Sequence, residues 1–507
     1  MKHSEDAVNR DFQRHIENVL KISPGTIAIT ACNVALTWGE IAEGAGRVCV
    51  ALNAHGISEF APVGWAAKNT PGAVMAFVGI VLSGRMVVPL RPSTMGKSFA
   101  DDIEQQMLEA VVASVNDWKS TEAVENARAA GSVGFVMSEG QRVVETVPTL
   151  DMLGSGPFRA EEPELILERL TSGTTGSPKR ISVARASVIA SLRLGDQNKG
   201  EADPSVTLKS SPALLFKPFS HAGGLFGLLL ALYQARPIVL FEKFVVDDWV
   251  SAVALHKPKV ASLVPAMIQM ILDAEPEPEP DALASLRAIR SGTAPLDPNV
   301  QSQFETRYGI PILVDYGAAE FVGGLAGWTL EDHRKYATEK QGSVGKVKRG
   351  VELRVVNSKT FAPTPTNSVG LVEVKSERFG ADWIRTNDLA RFDQDGFLFL
   401  EGRADQAINR GGFKIQPEEV EKQLKLHPDV VEAAVLGKPD KRLGQVPVAV
   451  LETAKGAGAP TTESLDTLVR AKLPAYMVPT EYHSLASLPR TNSMKVSRAE
   501  LRKLMKF

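Results

Sequence analysis

Strand-like and helix-like runs alternate along most of this chain, and that rhythm limits the possible folds more than any other feature. Thr37-x-x-Glu40 reads as a capping box opening a helix that stops near Gly56. PVGWAAKNT then reads as a strand, PGAVMAFVGIVLSG as a buried helix with proline in its first turn, and MVVPL as another strand. The pattern returns at VTLKSS, PIVLFEKF, KVASLVPA, LRAIRSG and PILVDYG, separated by the helix-like GGLFGLLLALY, DDWVSAVALH and DPNVQSQFETRYG. EPEPEP at Glu275 to Pro280 cannot be helical and reads as an extended linker between two helices. Alternation of this kind predicts a layered α/β body with parallel strands, whose ligands bind at the strands' carboxyl ends.

From Gly342 the character shifts to short strands, GSVGKV, VELRVV, GLVEVKS, LARF and FLFLEG, with Asp395-Gly396 as a hairpin turn. Beyond Gly402, PEEVEKQLKL, ESLDTLVRAKL and SRAELRKLM read as helices, and VVEAAVLG and VPVAVLET as strands. A chain of 507 residues is long for one core. The predicted division is therefore a large domain over residues 1–402, β-rich from about 342 to 402, and a small α+β domain over 403–507.

Between the strand-like ELILERL and RISVA lies LTSGTTGSPKR, Leu170 to Arg180. Gly173 and Gly176 allow successive N–H groups to turn toward an anion, the hydroxyls of Thr171, Ser172, Thr174 and Thr175 add donors, and Lys179 supplies a full positive charge. Such clusters also form plain solvated turns, and the P-loop spacing is absent. On composition alone both readings stay open.

A formal net charge of -2 leaves no basic excess to bind nucleic acid. The N-terminal MKHSEDAVNRDFQRHIENVL has no apolar signal-peptide core, and the apolar runs near Ala73 to Leu82 and Leu225 to Leu232 are shorter than the roughly 20 residues of a membrane span. A cytoplasmic protein is expected. Cys32 and Cys49 show no metal-ligand spacing, which suits a reducing compartment and a packing role.

The string TSGTTGSPK closely resembles the phosphate-binding signature of the acyl-adenylate-forming (ANL) superfamily, which includes acyl-CoA and aryl-CoA ligases, peptide-synthetase adenylation domains and luciferases. Five further segments carry the resemblance, in the same order. In FSHAGGL, His221 stands where acyl- and aryl-CoA ligases carry an aromatic or histidine wall between nucleotide and acyl sites, and the acidic residue of amino-acid-activating relatives is absent. SGTAPL and DYGAAE resemble the two segments that sandwich adenine, which implies nucleotide contacts for Ser291, Gly292, Thr293, Asp315, Tyr316, Gly317, Ala318 and Ala319, with Tyr316 stacked on the base. In WIRTNDLARF, Asp388 resembles the carboxylate that accepts both ribose hydroxyls. In EGRADQAINRGGFKIQPEEVE, Arg403 would reach ribose or phosphate oxygens and Asp405 marks the hinge. Gly411, Gly412 and Lys414 match the loop that swings in to form the pantetheine tunnel. In LPRTNSMKVSR, Lys495 resembles the lysine that spans carboxylate and α-phosphate.

The resemblance implies an α/β large domain of layered subdomains with a β-rich part, closed by a small mobile C-terminal domain. It implies ATP, Mg2+ held by Glu320 and Thr171, and coenzyme A as cofactors, with Lys495, Glu320, Thr171 and His221 as the catalytic group. The acid, a hydrophobic acyl or aryl one, would occupy a pocket of His221, Gly223, Gly224, Met267, Thr293, Ala318 and Phe321. Two alternatives stay open: loading of an acyl carrier protein's phosphopantetheine arm, and a nucleotide-binding homologue of reduced activity. The second is motivated by Ala319 in place of the usual threonine and by Arg180, Asn387 and Met494 in place of glycine. Asparagine tolerates the left-handed backbone region that glycine favours, so the change at Asn387 is expected to be mild. Relatives are commonly monomers or homodimers.

Overall fold

Backbone pairing gathers the chain into five sheets among the described residues. The structure is a computed structural model and describes residues 2–32, 34–92, 98–138, 144–171, 179–195, 206–318, 321–454, 458–491 and 494–507. Its widest sheet has seven strands in the order Val144–Thr146, Val133–Met137, Ala110–Ala113, Pro62–Ala66, Met86–Leu90, Leu165–Thr171 and Lys179–Ala184. Pro62–Ala66, Met86–Leu90 and Ala110–Ala113 are buried at every position. That is why they read as unbroken apolar runs: parallel strands covered on both faces have no polar side to show. The helices Trp38–Ala54 and Pro71–Leu82 start where the sequence predicts, on the Thr37/Glu40 capping box and on Pro71 behind the Thr70 cap. They pack closely at Gly79, where a methyl group would lie 2.6 Å from Val48 Cβ.

The last two strands of this sheet form an antiparallel hairpin that brings Thr171 opposite Lys179 in register. The two ends of the glycine- and hydroxyl-rich loop are thereby held together.

A second sheet runs Val260–Leu263, Ala288–Ser291, Ile312–Tyr316, Ala326–Gly327 and Lys346–Val347, the first three parallel. Ser291 pairs with Val314, so SGTAPL and DYGAAE both begin at neighbouring carboxyl ends of parallel strands. A third, four-stranded sheet contains Ala213–Leu215, Ile238–Leu240, Ile27–Ala31 and Val34–Thr37. The segment VTLKSS is not part of it: the strand starts only after Pro212, which has no N–H to give to a ladder. The EPEPEP stretch connects the helices Pro265–Leu272 and Pro280–Leu283, with Pro280 taking the first helical position of the second.

Glu352–Val356, Gly370–Ser376, Gly380–Phe392 and Leu398–Arg403 build an antiparallel sheet, as the short-strand composition predicts, and Asp388 pairs with Arg403 in it. The final sheet orders Phe413–Ile415, Ile408–Arg410, Gly444–Thr453 and Val430–Asp440, with Glu481–Leu485 added in parallel. It has a hydrophobic cluster of its own, including Ile415, Val420, Val435, Leu451, Leu465 and Val469. Among the described residues, no helix is long and apolar enough to cross a membrane.

Arg180 departs from the glycine of the resembling signature, and its side chain turns into the protein. Nη1 lies 2.9 Å from Pro89 O and 3.3 Å from Glu168, and Nη2 lies 3.2 Å from Asp102. Asp102 also holds Arg91, and Glu168 holds Arg159. Both carboxylates are buried, so losing a cation leaves charge poorly compensated. Arg180→Ala should therefore cost about 2 kcal/mol of stability, read as a lower urea midpoint, because Asp102 and Glu168 each keep one arginine.

Candidate active site

The turn before the helix Ala222–Tyr233 is shaped by one tight contact. A methyl group on Gly224 would lie 2.2 Å from Pro218 O and 2.5 Å from Lys217 O, so glycine alone lets the turn fold back on the helix. Buried Asn69 fixes the same turn from the first sheet: its Nδ2 donates to Lys217 O and Phe241 O, and its Oδ1 accepts from Phe219 N. His221 is thereby set at the N-cap of the helix, where its side chain makes no capping bond. Its Nε2 is buried without a hydrogen-bond partner among the described residues. Burial, and secondarily the Lys495 ammonium, push His221 down to about 4, so the imidazole is neutral at physiological pH.

The strand ends Ser291 and Tyr316 bring the two expected adenine segments together. A methyl group on Gly292 would lie 2.8 Å from Asp315 O, and Thr293 adopts φ +73°, a left-handed conformation that is costly for a β-branched residue. Strain of this kind persists only where surroundings hold it, often at binding sites. Buried Ser291 keeps an unpartnered Oγ among the described residues. Tyr316 donates its hydroxyl to Asp388 Oδ2 at 2.6 Å, linking the second sheet to the β-rich one. Asp388 Oδ1 accepts from Arg403 Nη1 at 3.2 Å, while Nε and Nη2 of the same arginine each lie 2.9 Å from Asp405. That fork holds the Asp405 carboxyl below its ordinary range. Asp388 still has lone pairs for further donors, because a carboxylate offers about four acceptor sites.

Lys495 arrives from the far end of the chain. Thr491 N donates to Lys495 O at 2.7 Å and Met494 N to Thr491 O at 2.8 Å. Met494 takes φ +64°, the region where glycine is usual, and its side chain packs against the core that includes Tyr316, Phe321 and Leu325. The Lys495 ammonium makes no hydrogen bond or ion pair among the described residues. Its pKa is lowered by burial first and by Arg403 second, with Asp388 acting in the opposite sense. Lys495, His221, Asp388, Arg403 and Tyr316 thus meet around one cleft.

Other expected residues lie elsewhere. Gly411 and Gly412 form the turn between Ile408–Arg410 and Phe413–Ile415, and they and Lys414 are exposed, with Phe413 stacked on Tyr476 at 4.7 Å. Met267 and Phe321 are buried in the core, and Ala318 packs on it. Gly223 is exposed beside Thr293, and Gly317 lies close to Gly323. Asn387 is not left-handed: it continues the extended strand Gly380–Phe392, and its amide reaches Asp405 at 3.4 Å. A strand position needs no glycine, so the substitution requires no unusual backbone.

Ser172, Gly173, Thr174, Thr175, Gly176, Ala319 and Glu320 lie outside the described residues, as do the side chains of Thr171 and Lys179. Both expected metal ligands are among these. Among the described residues no group of three or more His, Cys, Asp or Glu could hold a metal ion.

Sequence reasoning missed Asn69, whose partners are distant in the chain. It also missed Lys217, although a lysine inside the apolar run LLFKPF was a visible signal.

The folded pKa of His221 lies below its unfolded value of about 6.5, so the unfolded chain binds more protons between about pH 4 and 6.5. Its contribution is fully present above that window and is lost as pH falls, by about 3 kcal/mol. An NMR titration should find a His221 midpoint well below the ordinary range. In Lys495→Ala the midpoint should rise; an unchanged value would mean that Lys495 does not reach this cleft in solution.

The family described as AMP-binding enzyme matches residues 16–379, and the AMP-binding enzyme C-terminal domain matches residues 419–495. The chain is 26% identical over 504 residues to 2-succinylbenzoate–CoA ligase of Bacillus velezensis, covering 96% of each protein. It is 26% identical over 521 residues to indoleacetate–CoA ligase of Aromatoleum aromaticum, covering 98% of each. ATP-bound MatB from Rhodopseudomonas palustris shares the fold with a TM-score of 0.81 at 22% identity, over 96% of this chain and 99% of that one. With more than half of its length matched by the family, this chain belongs to the AMP-binding enzymes.

Proposed function

We propose that the protein joins an acyl or aryl acid to AMP at the expense of ATP, releasing pyrophosphate, and then passes the acyl group to the thiol of coenzyme A. The single observation that carries this reading is the half-buried Lys495 ammonium, unpaired among the described residues and facing the same cleft as Asp388, Arg403 and His221. A cation in that state is stabilised by an incoming anion, and the reaction brings two: the acid carboxylate and the α-phosphate.

Carboxylates acylate poorly because the leaving group would be oxide, and ATP supplies AMP as a better one. In-line attack on the α-phosphorus builds charge on the phosphoryl oxygens, which Lys495 neutralises while His221, being uncharged, does not compete for the anion. Tyr316 and Asp388 orient the nucleoside, and the loop from Thr171 to Lys179 receives the departing pyrophosphate. Glu320 with Thr171 would hold Mg2+, whose positive charge offsets that of the phosphates.

Thioester formation needs room that the adenylation arrangement lacks. In this reading residues 403–507 turn about Asp405, which brings Gly411, Gly412 and Lys414 from their exposed position toward the cleft. Coenzyme A as the acceptor is supported by the full-length similarity to the 2-succinylbenzoate and indoleacetate CoA ligases.

ATP–pyrophosphate exchange measured over a panel of acids tests the proposal. At least one acid should support exchange, and Lys495→Ala should reduce it roughly a hundred- to a thousand-fold. Exchange with no acid would end the proposal. Asp405→Pro should spare exchange and impair acyl-CoA formation, whereas equal loss of both would remove the rotation from the scheme.

A further inference from the structure

Lys217 stands four residues before His221, on the turn that Gly224 and Asn69 shape. Its stem lies beside Gly223 and Thr293: a methyl group on Gly223 would lie 3.7 Å from Thr293 Cγ2 and 4.0 Å from Lys217 Cδ. Glycine at 223 therefore leaves open a space walled by Lys217 and Thr293. The Lys217 ammonium donates to Ser262 Oγ at 2.8 Å, near the carboxyl end of the strand Val260–Leu263.

Charge in this corner is unbalanced. Asp315 is the carboxylate whose field acts on Lys217, but it is already engaged by Lys348 at 2.5 Å and by Arg290 at 2.9 Å. Neither Lys348 nor Arg290 has a second acidic partner among the described residues, and Lys217 has no direct one. Among the described residues, three cations thus share a single carboxylate, an excess of two positive charges around this strand end. Burial pushes Lys217 down to about 8, against the pull of Asp315, so the ammonium is still mostly protonated at neutral pH. An apolar substrate tail placed against this group would strip its water and give nothing in return. An anionic tail would offset the charge and form a charge-assisted hydrogen bond.

We infer that Lys217, with Ser262, selects the acid by receiving a second oxyanion, such as a carboxylate, at the end remote from the carboxylate that is activated. The inference rests on the proposed acid-activating reaction and names the class of acid that it takes.

Paired acids that differ only in the remote group test this: terephthalate against 4-methylbenzoate, and glutarate against pentanoate, each assayed at pH 7 by ATP–pyrophosphate exchange with the full-length protein. The anionic member of at least one pair should show kcat/KM higher by about tenfold or more. Lys217→Met should collapse or invert that ratio, and Lys217→Arg should largely keep it. A wild-type preference for the neutral members overturns the inference, as does a ratio unchanged by Lys217→Met, and both leave the acid-activating function standing. Should Lys217→Met fail to fold, the wild-type ratios alone still decide. If no acid in these pairs or in the wider panel supports exchange, the functional reading falls and the inference falls with it.

Discussion

An ammonium group moved out of water without a fixed counter-ion is unfavourable, by several kcal/mol when fully buried, and Lys495 is held part of the way into that condition. The rest of the site follows from it. Arg403 adds repulsion and Asp388 attraction, and the same positive charge helps keep His221 neutral. None of these groups is near another in sequence. A parallel sheet contributes Tyr316 from a strand end, an antiparallel sheet contributes Asp388 and Arg403 as register partners, and the C-terminal segment contributes the lysine. The cleft is therefore a product of how separate sheets meet, and its electrostatics depend on the C-terminal segment being docked.

The layered α/β body could be read from the sequence because strands such as Met86–Leu90 are buried on both faces and leave an unbroken apolar run. Helix starts were equally legible, since Thr37 with Glu40 and Thr70 with Pro71 are local signals with local causes. Where a local pattern competed with a backbone constraint, it misled: VTLKSS has strand composition, yet pairing waits until Pro212 has passed. The residues of the cleft were visible only through motif resemblance. Asn69 and Lys217 escaped notice because their meaning lies in partners such as Phe219, Ser262 and Asp315, which the fold alone brings to them.

The departures from the family pattern have local physical accounts. Arg180 joins a buried ion-pair network beneath the hairpin, away from solvent. Asn387 occupies extended backbone and extends its amide toward Asp405. Met494 accepts a left-handed conformation that costs about 1 kcal/mol, and its side chain packs on the large core in a way that glycine could not. None of the three removes a charged group from the cleft.

Arg403 serves two carboxylates with different nitrogens: Nη1 for Asp388, Nε and Nη2 for Asp405. An occupant that claimed Asp388 would free one prong and leave the two-pronged grip on Asp405 unbroken. Filling the site at Asp388 and loosening Arg403 from Asp405 are thus mechanically separate events.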